Sequence, residues 1–367
     1  MLEKGRISAF QMGIMMHPTI VATALLLLPA ITAKHAERDM WLSPIWASLI
    51  GFLTVYLAYR LNNLYPKETI VQYSERIVGR IPGKGIGLVY LFFYLHANGI
   101  VVREYAEFIT GKFLVRTPMI VIIASMLLVC AFAVRGGVEV LGRAAQMFVP
   151  ITILLLTFII VLLIPEVKGK NMFPVMAKGI MPSVKGAVTP QSWFSEFILI
   201  SFLLPFLTDR EKGMKWGMIS VLAVMLTMLV TNMATLFVFG GITATLTYPV
   251  MEVAGYISIA AFLEHLDSIV MAIWIAGTFV KISVFYYALV LGTAQWLNLS
   301  DYRPIVLPIG FLLAVFSIWS GPNLQELAHF LATSSSFYLT SVQTGIPLLL
   351  VLIALIRDGN RKGGQKR

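Results

Sequence analysis

Stretches of about 20 consecutive apolar residues, the length a helix needs to cross bilayer hydrocarbon, recur along almost the whole chain. The polar gaps between them are too short to fold alone. The chain therefore reads as one transmembrane domain, residues 1–357, followed by a basic tail, residues 358–367. Only helices and closed barrels satisfy their backbone in lipid, and runs of this length select helices. With 58% hydrophobic residues, 13% charged residues and a mean hydropathy of +0.83, the fold class expected is an all-α polytopic membrane protein.

Ten transmembrane helices are predicted, near residues 8–32, 43–62, 84–111, 117–134, 143–165, 190–208, 216–239, 267–292, 303–319 and 336–356. The first has no small-residue cleavage signature and reads as a retained helix. The net charge of +10 is a topology signal and not a nucleic-acid footprint, because 18 of the 28 lysines and arginines gather at one set of helix ends. By the positive-inside rule both termini are cytoplasmic, and the tail lies near anionic lipid headgroups. Residues 67–80 have the spacing of an interfacial helix. Residues 241–266 and 320–335 read as re-entrant or surface helices on the outer side. A lone Cys130 within a span excludes an internal disulfide, and no Cys/His cluster points to a metal.

Two spans carry interruptions at corresponding positions. Span 1, FQMGIMMHPTIVATALLLLP, has Pro18 in its middle with Ala22, Thr23 and Ala24 just after, so a kink or an unwound turn is expected. Span 6, QSWFSEFILISFLLP, is interrupted by Ser195 and Glu196. Such a pair is the signature of an inverted-repeat transporter, here residues 8–165 and 190–356, although ordinary proline kinks give the same pattern.

Charges within the spans are costly, on the order of 3 kcal/mol each on insertion scales, so they face a cavity or one another. Span 3 carries His96, Arg103, Glu104 and Glu107, of which His96, Arg103 and Glu107 share a face, and Arg103 and Glu107 read as a pair that locks helix packing. Glu196 in span 6 and Lys281 in span 8 lack a local partner, which makes each the candidate counter-charge of the other. Trp274, Thr278, Lys281 and Phe285 form one stripe around the amine, which suits a small zwitterionic ligand or a structural lysine bonded to carbonyls. His17 beside Pro18 reads as a proton-sensitive group or, more commonly for a lone membrane histidine, as a hydrogen-bonding group toward a neighbouring helix. There is no nucleophile elbow, HExxH or Walker loop, so neither an enzyme nor a bound cofactor is expected.

The ordered segments FQMGIMMHPTIVATALLLLP, LYPKETIVQYSERIVGRIPGKGIG, REYAEFI with VRTP, GGVEVLGRAAQMFVP, NMFPVMAKGI, FSEF and FLEHLDSIVMAIWIAGTFVKIS resemble the spore germination permease family. These are the B subunits of endospore germinant receptors, a branch of the amino acid, polyamine and organocation transporter superfamily. The resemblance implies a LeuT-like 5+5 inverted repeat of ten helices with helices 1 and 6 interrupted, in the spore inner membrane. It also implies a complex with a membrane-embedded A subunit and a lipoprotein C subunit, and a small nutrient germinant such as an amino acid sensed at mid-membrane. Carried over by position, the pocket would be formed by Ala22, Thr23 and Ala24 of helix 1, Phe93 and Ala97 of helix 3, Glu196 of helix 6, and Thr278, Lys281 and Phe285 of helix 8. Many relatives carry glycine where Ala22 and Ala24 stand, and the added methyls narrow the approach to the backbone amides. A proton- or sodium-coupled transporter of similar solutes is the other function this resemblance allows.

Overall fold

The computed structural model describes residues 2–256, 266–321 and 323–364. A helical segment lies at each of the ten predicted spans. Residues 8–11 start the first: the Ser8 hydroxyl accepts from the Gln11 amide at 3.1 Å, and the Gln11 side chain accepts from the Ser8 amide at 2.8 Å. The helix so capped, α1 (Ala9–Ala36), ends at a 3-10 turn over Glu37–Leu42, and α2 (Ser43–Leu64) follows. The Ala9 amide donates to Asp209 at 2.7 Å, while Asn62 near the end of α2 accepts from the next residue, Arg210, at 2.8 Å. The two helix ends thus lie at one level, and α1 and α2 form a hairpin.

Expected unwinding at Pro18 does not occur: α1 is continuous through Pro18 and Pro29. Each proline removes one backbone bond, but α1 is buried along nearly its whole length, and in a dry surround unwinding would strand many more backbone groups than the proline does. Thr19 and Thr32 also donate their hydroxyls to Met15 and Leu28 carbonyls one turn back, at 2.7 and 2.9 Å.

After α2 come α3 (Ile70–Val78), α4 (Arg80–Lys112), α5 (Met119–Arg135) and α6 (Val138–Leu163). The amphipathic α3 falls within the 67–80 stretch and buries Ile70, Val71, Tyr73 and Ile77. In the second half, α7 (Met181–Ala187) leads into α8 (Pro190–Ser195), and the chain then rewinds as 3-10 helix over Glu196–Phe202 and Leu204–Phe206. This broken segment is bent 47° from α7. The remaining elements are α9 (Gly213–Phe239), α10 (Pro249–Tyr256), α11 (Asp267–Trp296), α12 (Val306–Trp319), α13 (Leu324–Ala332), α14 (Ser334–Thr340) and α15 (Ile346–Gly364). Residues 257–265 of the 241–266 connection, Pro322 of the 320–335 stretch and the last three residues of the tail lie outside the described residues.

Among the described residues, six helical segments are long and apolar enough to cross a membrane, or up to eight if each bent pair is one span. The protein is thus an all-α polytopic membrane protein. The core gathers around α1, which packs against α6, α9 and α11. At one end of the bundle a strap of residues before α1 is fastened to the start of α6 and across the second half. Ile7 pairs with Leu207, its amide donating to the Phe206 carbonyl at 3.1 Å. Glu3 is buried and accepts from the Tyr302 hydroxyl at 2.9 Å, the Tyr287 hydroxyl at 3.3 Å and the Val138 amide at 3.2 Å.

Candidate functional site

The winding of the sixth predicted span changes at Glu196. A 3-10 run of seven residues is long for that geometry, whose hydrogen bonds are poorer, and such stretches mark hinges or sequences under strain. Directly across lies Lys281 of α11, whose Nζ is 2.7 Å from Glu196 Oε2 and 3.0 Å from Oε1. Lys281 is 0% and Glu196 5% exposed, so the pair is buried in the interior and each charge depends on the other. The ammonium also lies 5.4 Å from the centre of the Phe285 ring.

Side chains from four further elements surround the pair. Tyr94 of α4 meets Phe285 edge-on at 5.8 Å and Phe202 of the 3-10 run at 5.6 Å. Asn98 of α4 donates to the Ile282 carbonyl at 3.3 Å, tying α4 to α11 beside the lysine. Ser195 donates to Gln343, in the π-helical turn between α14 and α15, at 2.6 Å. Two tryptophans then hold α1 against the site. Trp274 of α11 donates its indole N–H to the Ala22 carbonyl at 2.5 Å, and Trp193 of α8 donates to Thr23 Oγ1 at 2.9 Å. Between α1 and α11, Gly277 permits close approach: a Cβ built there would sit 3.3 Å from that of Ala22.

The nine positions carried over in the sequence analysis fall as follows. Glu196, Lys281 and Phe285 are brought together, and Ala22 and Thr23 are held beside them by the two indoles. Thr278 is fully buried on the α11 face of Lys281, and its hydroxyl has no hydrogen-bond partner among the described residues. Ala24 and Ala97 are buried apolar positions. Phe93 packs against Tyr338 at 5.2 Å, toward α14, whereas its neighbour Tyr94 faces Phe285. Sequence reasoning missed Tyr94, Asn98, Trp193 and Gln343. Trp193 stands three residues before Glu196 on the same helical face, and Gln343 is an amide inside an apolar run; both signals were present. Elsewhere, Arg103 and Glu107 pair at 2.7 Å, as their spacing leads one to expect, and His17 bonds Thr227 of the neighbouring helix α9 at 3.0 Å.

The sequence pattern of a family described as "Spore germination protein" matches residues 6–324. The chain belongs to the spore germination permease family. Relatives in that family include "Spore germination protein KB" of Bacillus subtilis (strain 168), 28% identical over 98% of each chain. "Spore germination protein YndE" of the same organism is 25% identical over 97% of this chain and 98% of its own. "Spore germination protein XB" of Bacillus anthracis is 22% identical over 76% of this chain and 78% of its own. Family membership places the chain among membrane permeases and outside the enzymes. Among solved structures, the substrate-bound outward-open state of a Na+-coupled sialic acid symporter matches with a TM-score of 0.64, covering 92% of this chain and 79% of that one at 13% identity. At that identity the likeness establishes the fold, that of LeuT-like transporters.

Proposed function

We propose that the chain is the germinant-sensing membrane subunit of a spore germination receptor, binding a small nutrient between α1, α4, the 3-10 segment and α11. The observation that carries this reading is the buried Glu196–Lys281 pair at the change of winding in the sixth span. An amine and a carboxylate held side by side are the complements of a zwitterion, whose own carboxylate and ammonium can take them over. Two states then follow, one with the protein charges paired to each other and one with them paired to the ligand. A ligand shifts such an equilibrium by its differential affinity for the two states, which is all that signalling requires.

The same reading takes the domain to 1–357 with ten crossings in a 5+5 inverted repeat, residues 8–165 and 190–356, and a cytoplasmic tail, 358–367. Support comes from the α1–α2 hairpin, the 17-residue apolar α5 and the two bent pairs, which add to the other long helices. Both termini then face the cytoplasm from the spore inner membrane. An A subunit and a lipoprotein C subunit are the partners, as the family resemblance implies.

A second reading, a proton- or sodium-coupled transporter of amino acids or related solutes, is favoured by the likeness to the Na+-coupled symporter fold. Spores carrying this receptor alone, screened against amino acids, sugars and nucleosides, test the first reading. A response lost in Lys281→Ala and Glu196→Gln, with both variants present in the membrane, is expected; a full response in both rejects the pocket. Saturable gradient-driven uptake by the isolated chain in vesicles would replace the sensor with the transporter.

A further inference from the structure

Beside the Glu196–Lys281 pair stands a further buried carboxylate. Glu104 of α4 is 2% exposed, and its Oε1 is buried without a hydrogen-bond partner among the described residues. Its level in the bundle is fixed from both sides. Asn98 bonds the Ile282 carbonyl, and Tyr105 stacks on Trp274 at 5.6 Å, so Glu104 sits alongside the stretch of α11 that contains Thr278 and Lys281. One turn further along α4, Phe108 packs on Trp274 at 4.3 Å and on Tyr248 at 5.2 Å, an aromatic cap on the side away from Asn98.

Among the described residues the titratable groups around Glu104 come from the elements packed on α4, of which α13 adds only the exposed Glu326 and His329. On its own helix Arg103 is engaged with Glu107 at 2.7 Å. From α11 comes Lys281 and from the 3-10 segment Glu196, whose charges act on Glu104 while the two are bonded to each other. Tyr248, just before α10, feels both Glu104 and Glu107. On α5, Cys130 lies near Tyr105. α12 has no titratable side chain, and the nearest on α1, His17, is bonded to Thr227 of α9. Among the described residues, and apart from the Arg103–Glu107 pair, the buried set therefore holds two carboxylates and one ammonium, with the ammonium already engaged by one of them. An ionised carboxylate left over in a dry interior is far more costly than a neutral one. A proton on the carboxylate removes that charge without calling on any further partner.

We propose that Glu104 is a proton-binding site that sets the strength of the Glu196–Lys281 pair. With its proton on, Glu104 is a neutral bystander and Lys281 belongs to Glu196. When the proton leaves to water, two carboxylates compete for one ammonium, the hold on Glu196 weakens, and the 3-10 segment is released from α11. The coupling rests on the reading of that pair as the ligand pocket; the proton site does not.

Infrared difference spectroscopy of the purified full chain, titrated from neutral to alkaline pH without any nutrient, tests it. The carbonyl stretch of a protonated carboxylic acid is expected to disappear as pH rises. Glu104→Gln should lack one carboxyl's share of that band, and Glu107→Gln should keep it. No titrating band, or a band that survives Glu104→Gln and vanishes in Glu196→Gln, overturns the assignment. Should Glu104→Gln fail to fold, Glu104→Asp retains the carboxyl in a changed position and must shift the band's midpoint; an unmoved midpoint is equally fatal. A chain deaf to every nutrient can still pass this test, and a responsive one can fail it, so the two proposals fall separately.

Discussion

α1 and the segment that starts at α8 invite comparison, because both cross the core of the bundle and both carry features that should break a helix. α1 contains two prolines and stays wound; the other contains a serine and a glutamate at its midpoint and changes to 3-10 geometry there. A proline costs one hydrogen bond whatever lies opposite, and a buried surround penalises every further unwound turn. Glu196 instead has a partner on another helix, and the backbone there takes the winding that accompanies that bond. In this interior a charge with a distant partner marks the break better than a proline does.

Removing the partner should be the most damaging change. Lys281→Ala leaves Glu196 buried and unpaired, which costs about 3–5 kcal/mol and should lower the melting temperature of the purified protein by many degrees. Lys281→Met combined with Glu196→Leu should recover most of that loss while the nutrient response stays absent; recovery of the response would mean that the pair only fastens the fold. Next in size is Gly277→Val, which forces side-chain atoms toward Ala22 and should cost ~1–3 kcal/mol by overpacking, read as reduced thermal stability. A variant as stable as the parent would show that α1 and α11 can slide apart. Trp193→Phe removes one indole bond to Thr23 and should cost about 1 kcal/mol, with Thr23→Val in the same background adding little. The smallest effect belongs to Pro18→Ala. A regained amide hydrogen bond to the turn before offsets the lost ring contacts, leaving a change within about 1 kcal/mol. A collapse in stability there would restore proline to the role the comparison denies it.

Much of this was legible in the sequence, for reasons that particular residues make plain. The apolar runs have a length dictated by the bilayer, so the helical segments lie where hydropathy puts them, and the cost of an intramembrane charge marked Glu196 and Lys281 as partners. What stayed hidden depends on rotation about a helix axis and on neighbours. Phe93 and Tyr94 differ by one position, about 100° around α4, and only tertiary packing decides which of them meets Phe285. Pro18 reads as a break because a linear sequence does not record that α1 is enclosed on nearly all sides. Glu104 is visible in the sequence as a third charge of span 3, but it lies off the face that the spacing of Arg103 and Glu107 defines, and nothing in a linear sequence shows what it meets.

The strap ahead of α1 has a consequence for the order in which the molecule is made. Glu3 and Ile7 leave the ribosome early, yet the groups that fasten them, Val138, Phe206, Tyr287 and Tyr302, follow one after another until most of the chain has been synthesised. Until then a carboxylate and a string of backbone amides wait at the membrane surface with only water to bond. Residues made before all of their partners are therefore among the last to settle, and their fastening reports that the second half has arrived.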